Sequence, residues 1–241
     1  MEENPRFVNR LFSAVKPLAS SSLHQGLAFE NCTFEGCAFA RRLGTFEDPM
    51  RWATIRRLSV KSCKARGCSL GPIFLEDSIV DGLDVEHLHV WGAVYQRLTL
   101  RGRIGGLVLD DRVAVPHGET KEISDRCWAF HRAHYARQTD WAIDISQAEF
   151  TKEIDVRGIP ARLIRRDRET QAVVKRINAA ARRDRQLLPE DSPWIAIIDR
   201  LFDPSWDQED ALLVAPRRYR HFKKWLEGIR ILRDAGIADP D

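Results

Sequence analysis

At 241 residues, with 44% hydrophobic and 30% charged side chains, the chain has the composition of a globular protein with room for one large domain or two modest ones. A formal net charge of +3 does not by itself mark a nucleic-acid binder, and no apolar run approaches the roughly 18 residues of a membrane-spanning helix. Five cysteines, an odd count in a chain too large to need staples, point to reduced thiols in a cytoplasm.

The first segment, MEENPRFVNRLFSAVKPLASSS, opens with acids and has no continuous apolar h-region, so a signal peptide is not expected. The next stretch repeats itself. NCTFEGC (Asn31–Cys37) and SCKARGC (Ser62–Cys68) each set two cysteines five residues apart, with Gly before the second. Neither a period of 2 nor of 3.6 describes residues 53–100, but a period of five does. Ala53, Leu58, Cys63, Cys68, Ile73, Ser78, Leu83, Leu88, Ala93 and Leu98 form a small or apolar series. Two places later, Ile55, Val60, Ala65, Leu70, Leu75, Val80, Val85, Val90, Tyr95 and Leu100 form a nearly aliphatic one. Arg56, Lys61, Glu76, Asp81 and other charges fill the remaining places, the pattern of a buried interior inside a solvated shell. Leu27, Cys32 and Cys37 stand in the same relation to Phe29, Phe34 and Phe39, and an irregular turn over Arg41–Met50 absorbs the offset between the two blocks.

The units CTFEG, CAFAR, LSVKS, CSLGP and LDVEH resemble pentapeptide-repeat proteins over about residues 24–109, although the Asp or Asn usual before the central residue is mostly absent. The resemblance implies a right-handed, four-sided β-solenoid with four units per coil. Cys32, Cys37, Cys63 and Cys68 then occupy small inward positions, where a compact thiol packs well. Convergence on a zinc ion would need tetrahedral geometry, and the C-x4-C spacing is not that of a zinc ribbon.

Four large apolar residues break the polar shell: Phe74, Ile79, Trp91 and Val94. Phe74 and Val94 stack on one face if four units make a coil. They are either covered by the second half of the chain or form a partner surface. His87 and His89 lie outside, flanked by Asp84 and Glu86.

After LRGRIGGLVLDD the period breaks, and Pro116–Gly118 reads as a boundary loop between a repeat domain at 1–115 and a region at 116–241 that packs on it or caps it. A helix is expected from an N-cap at Ser124, with Cys127, His131 and His134 on one face, more a packing face than a metal site. WAIDISQAEF alternates as a strand, EIDVRGIPARLIRRD and TQAVVKRI read as short strands, and a helix follows from about Asn178. Ser192–Pro193 and Pro216 look like further helix starts, with Gly236 as a stop. The expected class is therefore mainly β with α: a pentapeptide-type solenoid followed by a small α+β or helical C-terminal region.

Two basic clusters stand out: Arg162, Arg165, Arg166 and Arg168, then Arg217, Arg218, Arg220, Lys223 and Lys224. They are the basis for an alternative reading, nucleic-acid binding. Acids such as Asp167, Glu169 and Asp184 interrupt them. Motifs of nucleophile elbows, phosphate loops, dinucleotide folds and zinc proteases are absent. Asp110 and Asp111 look like a turn, and the histidine cluster with Asp140 or Asp144 is the best residual catalytic guess. The expectation is a non-enzymatic scaffold of a bacterial cytoplasm that binds another protein, as a toxin-neutralising (immunity-type) protein or an adaptor, with no cofactor. Some pentapeptide-repeat proteins mimic duplex DNA and bind type II topoisomerases; the mixed charge of this exterior departs from the acidic rod that mimicry requires.

Overall fold

The structure, a computed structural model, describes residues 5–15, 22–39, 48–112, 121–185, 187–204 and 208–239. The expected boundary loop at Pro116–Gly118 and most of the irregular turn over Arg41–Met50 lie outside them. Short strands come first: β1 (Arg6–Val8), β2 (Leu11–Ser13), β3 (Leu23–Gln25), β4 (Ala28–Glu30), β5 (Thr33–Glu35) and β6 (Ala38–Phe39). A 3-10 turn at Pro49–Arg51, capped by Asp48, leads into β7 (Ala53–Arg56), β8 (Ser59–Arg66), β9 (Ser69–Leu70), β10 (Ile73–Trp91) and β11 (Ala93–Asp110). Helix α1 (Lys121–Arg137) precedes β12 (Ile143–Phe150), β13 (Ile154–Val156) and β14 (Ile164–Arg165). The C-terminal part is β15 (Gln171–Lys175), α2 (Arg176–Arg185), α3 (Pro193–Asp199), β16 (Asp210–Val214), α4 (Phe222–Asp234) and β17 (Ala238–Asp239).

The expected fold class is corrected by this arrangement. Strands β1 to β14 make one 14-stranded parallel sheet whose main path, β1-β4-β8-β10-β11-β12-β14, is open, and with the four helices the fold is of α/β type rather than a closed four-sided solenoid. Two features carry the difference. Strands β10 and β11 run for 19 and 18 residues, where a coil of separate five-residue faces would break at each corner. Helix α1 also joins the parallel neighbours β11 and β12, a crossover that parallel pairing requires.

The five-residue period survives as a local rule. Left-handed backbone recurs at Arg57, Ser62 and Gly67, at Asp77 and Gly82, and at Gly92, Arg97 and Gly102, bending the strands at regular intervals. Register keeps like positions together: Ile73 lies opposite both Ala53 and Ala93, and Val80 opposite both Val60 and Leu100. Cys32, Cys37 and Cys63 are fully buried and Cys68 is half-buried; all four are free thiols. Each thiol faces a carbonyl of a neighbouring strand, Cys37 reaching Phe12 O at 3.3 Å and Cys68 reaching Phe34 O at 3.4 Å. Ser78, in the same series, accepts from Leu58 N–H and donates to Glu76 O, which satisfies a buried hydroxyl.

Outward charges pair across strands. Arg56 meets Glu76, Arg97 meets Asp77, Arg101 meets Asp81, Arg66 meets Asp84, and Glu30 sits between Arg6 and Lys61.

A second, antiparallel sheet of order β16-β15-β17 divides two cores. Along β15 and β16 the side chains alternate. Val173, Leu212 and Val214 join the core of the large sheet, while Ala172, Val174, Ala211 and Leu213 join a core built with α3 and α4 around Trp194, Ile198, Ile229 and Leu232. Strand β16 was not expected from the sequence. Ser192 caps α3 and Pro193 occupies its first turn, as the sequence predicts. Helix α4 starts at Phe222 rather than Pro216, because Tyr219 N–H and Phe222 N–H bond three residues back to Pro216 O and Tyr219 O, closing successive tight turns. Helix α1 starts at Lys121, so Ser124 lies inside its first turn and is not a cap.

Candidate functional site

Helix α1 covers the outer side of the sheet where the sequence places an apolar patch. Phe74 packs between Trp52 and Phe130, with ring centroids 5.8 and 5.9 Å away, and Val94, opposite Phe74 in register, is 2% exposed. These two residues are therefore covered within the chain. Ile79 stays 39% exposed between Ser59 and Thr99, and Trp91 lies half-buried, stacked on His89. The structure does not gather the four into one surface.

Cys127, His131 and His134 do share the sheet-facing side of α1, but as packing groups. His131 is 1% exposed among Trp52, Phe130 and Tyr135, and His134 lies against Phe74. Among the described residues, neither ring nitrogen of His131 has a hydrogen-bond partner of good geometry. Burial outweighs the favourable effect of the nearby Gly92 backbone and pulls the imidazole down to about 4. Among the described residues, no three His, Cys, Asp or Glu side chains are placed to hold a metal ion.

The basic residues are largely engaged. Arg162 donates to the carbonyls of Tyr135 and Gln138 (3.0 Å to Gln138), capping the C-terminal end of α1, where a cation is favoured. Arg165 lies over the Trp141 ring at 4.7 Å. Arg217 reaches Asp167 and Glu169 at 2.8 Å each, Arg218 reaches Glu149 at 2.6 Å, and Lys224 pairs with Asp191. Arg166 is half-buried, while Arg168, Arg220 and Lys223 are exposed.

The most distinctive chemistry lies where the sequence suggests only a turn, at Asp110–Asp111. Strand β11 ends there, beneath α1, and crevices outside the carboxyl ends of parallel strands are common ligand sites. Asp110, 4% exposed, accepts from Arg157 at 3.0 Å and from Arg112 N–H, with His89 at 3.4 Å. Arg157 also holds Asp155 at 2.5 Å, and Arg200 holds it at 2.7 Å. Burial alone would raise the Asp155 carboxyl, but these two guanidinium groups outweigh it and keep it below the ordinary value. His89 is shifted down, mainly by burial and against the pull of Asp110.

Asp111, whose side chain lies against that of Asp110, lines a cleft of about 260 Å³. Its walls include Trp128, Arg132 and Tyr135 from one face of α1, the Gly158–Pro160 loop after β13, and Glu209 and Asp210 at the start of β16. Arg132 lies over Trp128 at 4.8 Å. Asp111 is 6% exposed, no salt bridge reaches it among the described residues, and burial followed by the charge of Asp110 pushes its carboxyl up to about 6. Asp210 is likewise raised by burial, though it accepts from Ala161 N–H at 3.1 Å. Gly158 is required for this geometry. Its φ is +71°, and a Cβ there would sit 2.2 Å from the Asp111 carboxyl. Sequence reasoning missed the cleft because its acids come from segments about a hundred residues apart. The one local signal was an acidic pair directly after an aliphatic strand.

Comparison with protein-family models, with curated proteins and with solved structures found no match. No described helix is long and apolar enough to cross a membrane.

Proposed function

We propose that the chain is a non-enzymatic, protein-binding scaffold of a bacterial cytoplasm, acting as an adaptor or as a toxin-neutralising partner, and that it takes a basic side chain of that partner into the cleft beside Asp111. The observation that carries this reading is a buried carboxyl that no salt bridge reaches among the described residues and whose charge the neighbouring Arg112 only partly offsets, opening onto a cleft lined by Trp128, Arg132, Arg162, Glu209 and Asp210. An inserted Lys or Arg would pair with the Asp111 carboxyl beside the Trp128–Arg132 stack, a charge-assisted contact that gains from desolvation. The five-residue register, with its resemblance to pentapeptide repeats, supports a stiff platform for the cleft. Free thiols throughout are compatible with a cytoplasmic setting.

The exterior supports this reading over mimicry of duplex DNA, because its charges are matched across strands rather than gathered as a single sign. Nucleic-acid binding through the Arg-rich region is the second reading, resting on exposed Arg168, Arg220 and Lys223.

The test is affinity capture from native lysate with the full chain and with Asp111→Asn, with and without nuclease and at low and high salt. One stoichiometric protein held by the parent chain, released by Asp111→Asn and weakened as pH falls through about 6, is the expected result. Recovery of nucleic acid that disappears with salt, unaffected by Asp111→Asn, would replace it with the second reading.

A further inference from the structure

We infer that the apolar hollow on the inner face of the bent large sheet is a binding site for a single-chain amphiphile, an alkyl chain carrying a carboxylate head. The two inward series of the five-residue period do not fill the space they face. Phe7 stacks on Phe29 and Phe12 on Phe34, each at 5.2 Å between ring centroids, so the first layers are aromatic. In the next layer the register places Val60 opposite Phe29 and Ala65 opposite Phe34, and Val80 and Val85 follow. Rings thus give way to small aliphatic groups, and a cavity of about 390 Å³ opens beneath them. Protein interiors are packed like organic crystals, and an engineered apolar cavity of about 150 Å³ already stays dry and takes up benzene.

The shape of the cavity selects its occupant. Phe7, Phe29, Val60, Val80 and Leu100 lie on five successive strands and line it together. At about 4.8 Å between strands they span about 19 Å, so the cavity is elongated across the strands, a shape that suits an extended alkyl chain. His24 is the one basic side chain among the described lining residues. It lies on edge strand β3, its Nε2 2.9 Å from Ser22 Oγ, and can meet a carboxylate at that end. Leu11, Leu23 and Val8, on the edge strands β1 to β3, are 62%, 56% and 39% exposed, an apolar surface over which such a chain would approach.

The test uses the full chain, stripped of lipid and titrated with cis-parinaric acid, then challenged with saturated fatty acids of increasing length. One probe per chain should bind saturably, and displacement should strengthen about fourfold per added methylene until the cavity is full. Val80→Phe fills the cavity and should weaken binding at least tenfold while leaving the melting temperature unchanged or raised. Should that variant lose the native circular dichroism, Leu88→Phe makes the same test from another wall. His24→Gln should weaken fatty acids but not the matching alcohols. Binding that fails to saturate, lacks chain-length dependence or persists unchanged in a folded cavity-filled variant overturns the proposal. So does equal affinity for acid and alcohol in the parent chain.

Discussion

Two buried titratable residues have opposite effects on stability as pH changes. His131 is neutral in the fold, with its pKa lowered from 6.5 to about 4, so its contribution is complete above pH 6.5 and is lost as pH falls through 4. At 1.36 kcal/mol per tenfold change in proton affinity, the loss between pH 7 and 4 amounts to about 3 kcal/mol. His131→Leu should remove that dependence, and urea midpoints at pH 7 and 5 will show whether it does. Asp111, raised from 3.8 to about 6, acts in reverse: stability declines as pH rises from 4 to 6, so part of the His131 effect is masked in the parent chain. Removing the Asp111 charge should stabilise the protein at pH 7 even as it costs binding, the trade expected where function holds a group in an unfavourable place. Gly158→Ala puts a methyl into the Asp111 carboxyl at a left-handed backbone position; a destabilisation of at least about 2 kcal/mol is expected from chemical denaturation.

At the scale of the element, β10 shows how side chain and backbone divide the work. Leu83 points inward and lines the interior, while Asp84 faces out in an exposed pair with Arg66. Leu83→Asp should therefore cost about 3 kcal/mol or more by burying an unpaired charge, and Asp84→Lys less than about 1 kcal/mol. Equal thermal shifts in the two variants would show the register to be misassigned. Phe74 tests the cover that α1 provides. Its ring meets Trp52 and Phe130, so Phe74→Ala should destabilise by about 2–4 kcal/mol, measurable as a lowered urea midpoint. A stability-neutral result would return Phe74 to the outer surface.

Over the whole molecule, the small antiparallel sheet links the two cores. Because β15 and β16 give alternate side chains to each core, loss of one core removes support from the other. Trp194, 1% exposed and donating its indole N–H to Trp225 O at 2.9 Å, anchors the C-terminal core. Trp194→Phe should lower stability by about 1–3 kcal/mol yet leave one transition, with far-ultraviolet circular dichroism and intrinsic fluorescence sharing a midpoint. Two separated midpoints would mean that the cores fold independently.

Local rules are legible in the amino-acid sequence itself. The five-residue period identifies Cys32, Cys37, Cys63 and Ser78 as interior, and Ser192–Pro193 marks the start of α3, because small inward side chains and caps depend on immediate neighbours. How the strands join is not legible there: the same alternation serves a closed coil or an open, crossover-linked sheet, and only long-range pairing through β10, β11 and β12 decides between them. The candidate cleft belongs to that second class. Asp111, Trp128, Gly158 and Asp210 are unremarkable each in its own segment. They become a site because α1 crosses from β11 to β12 and β16 packs beside β13, a convergence imposed by burial and parallel pairing rather than by any local pattern.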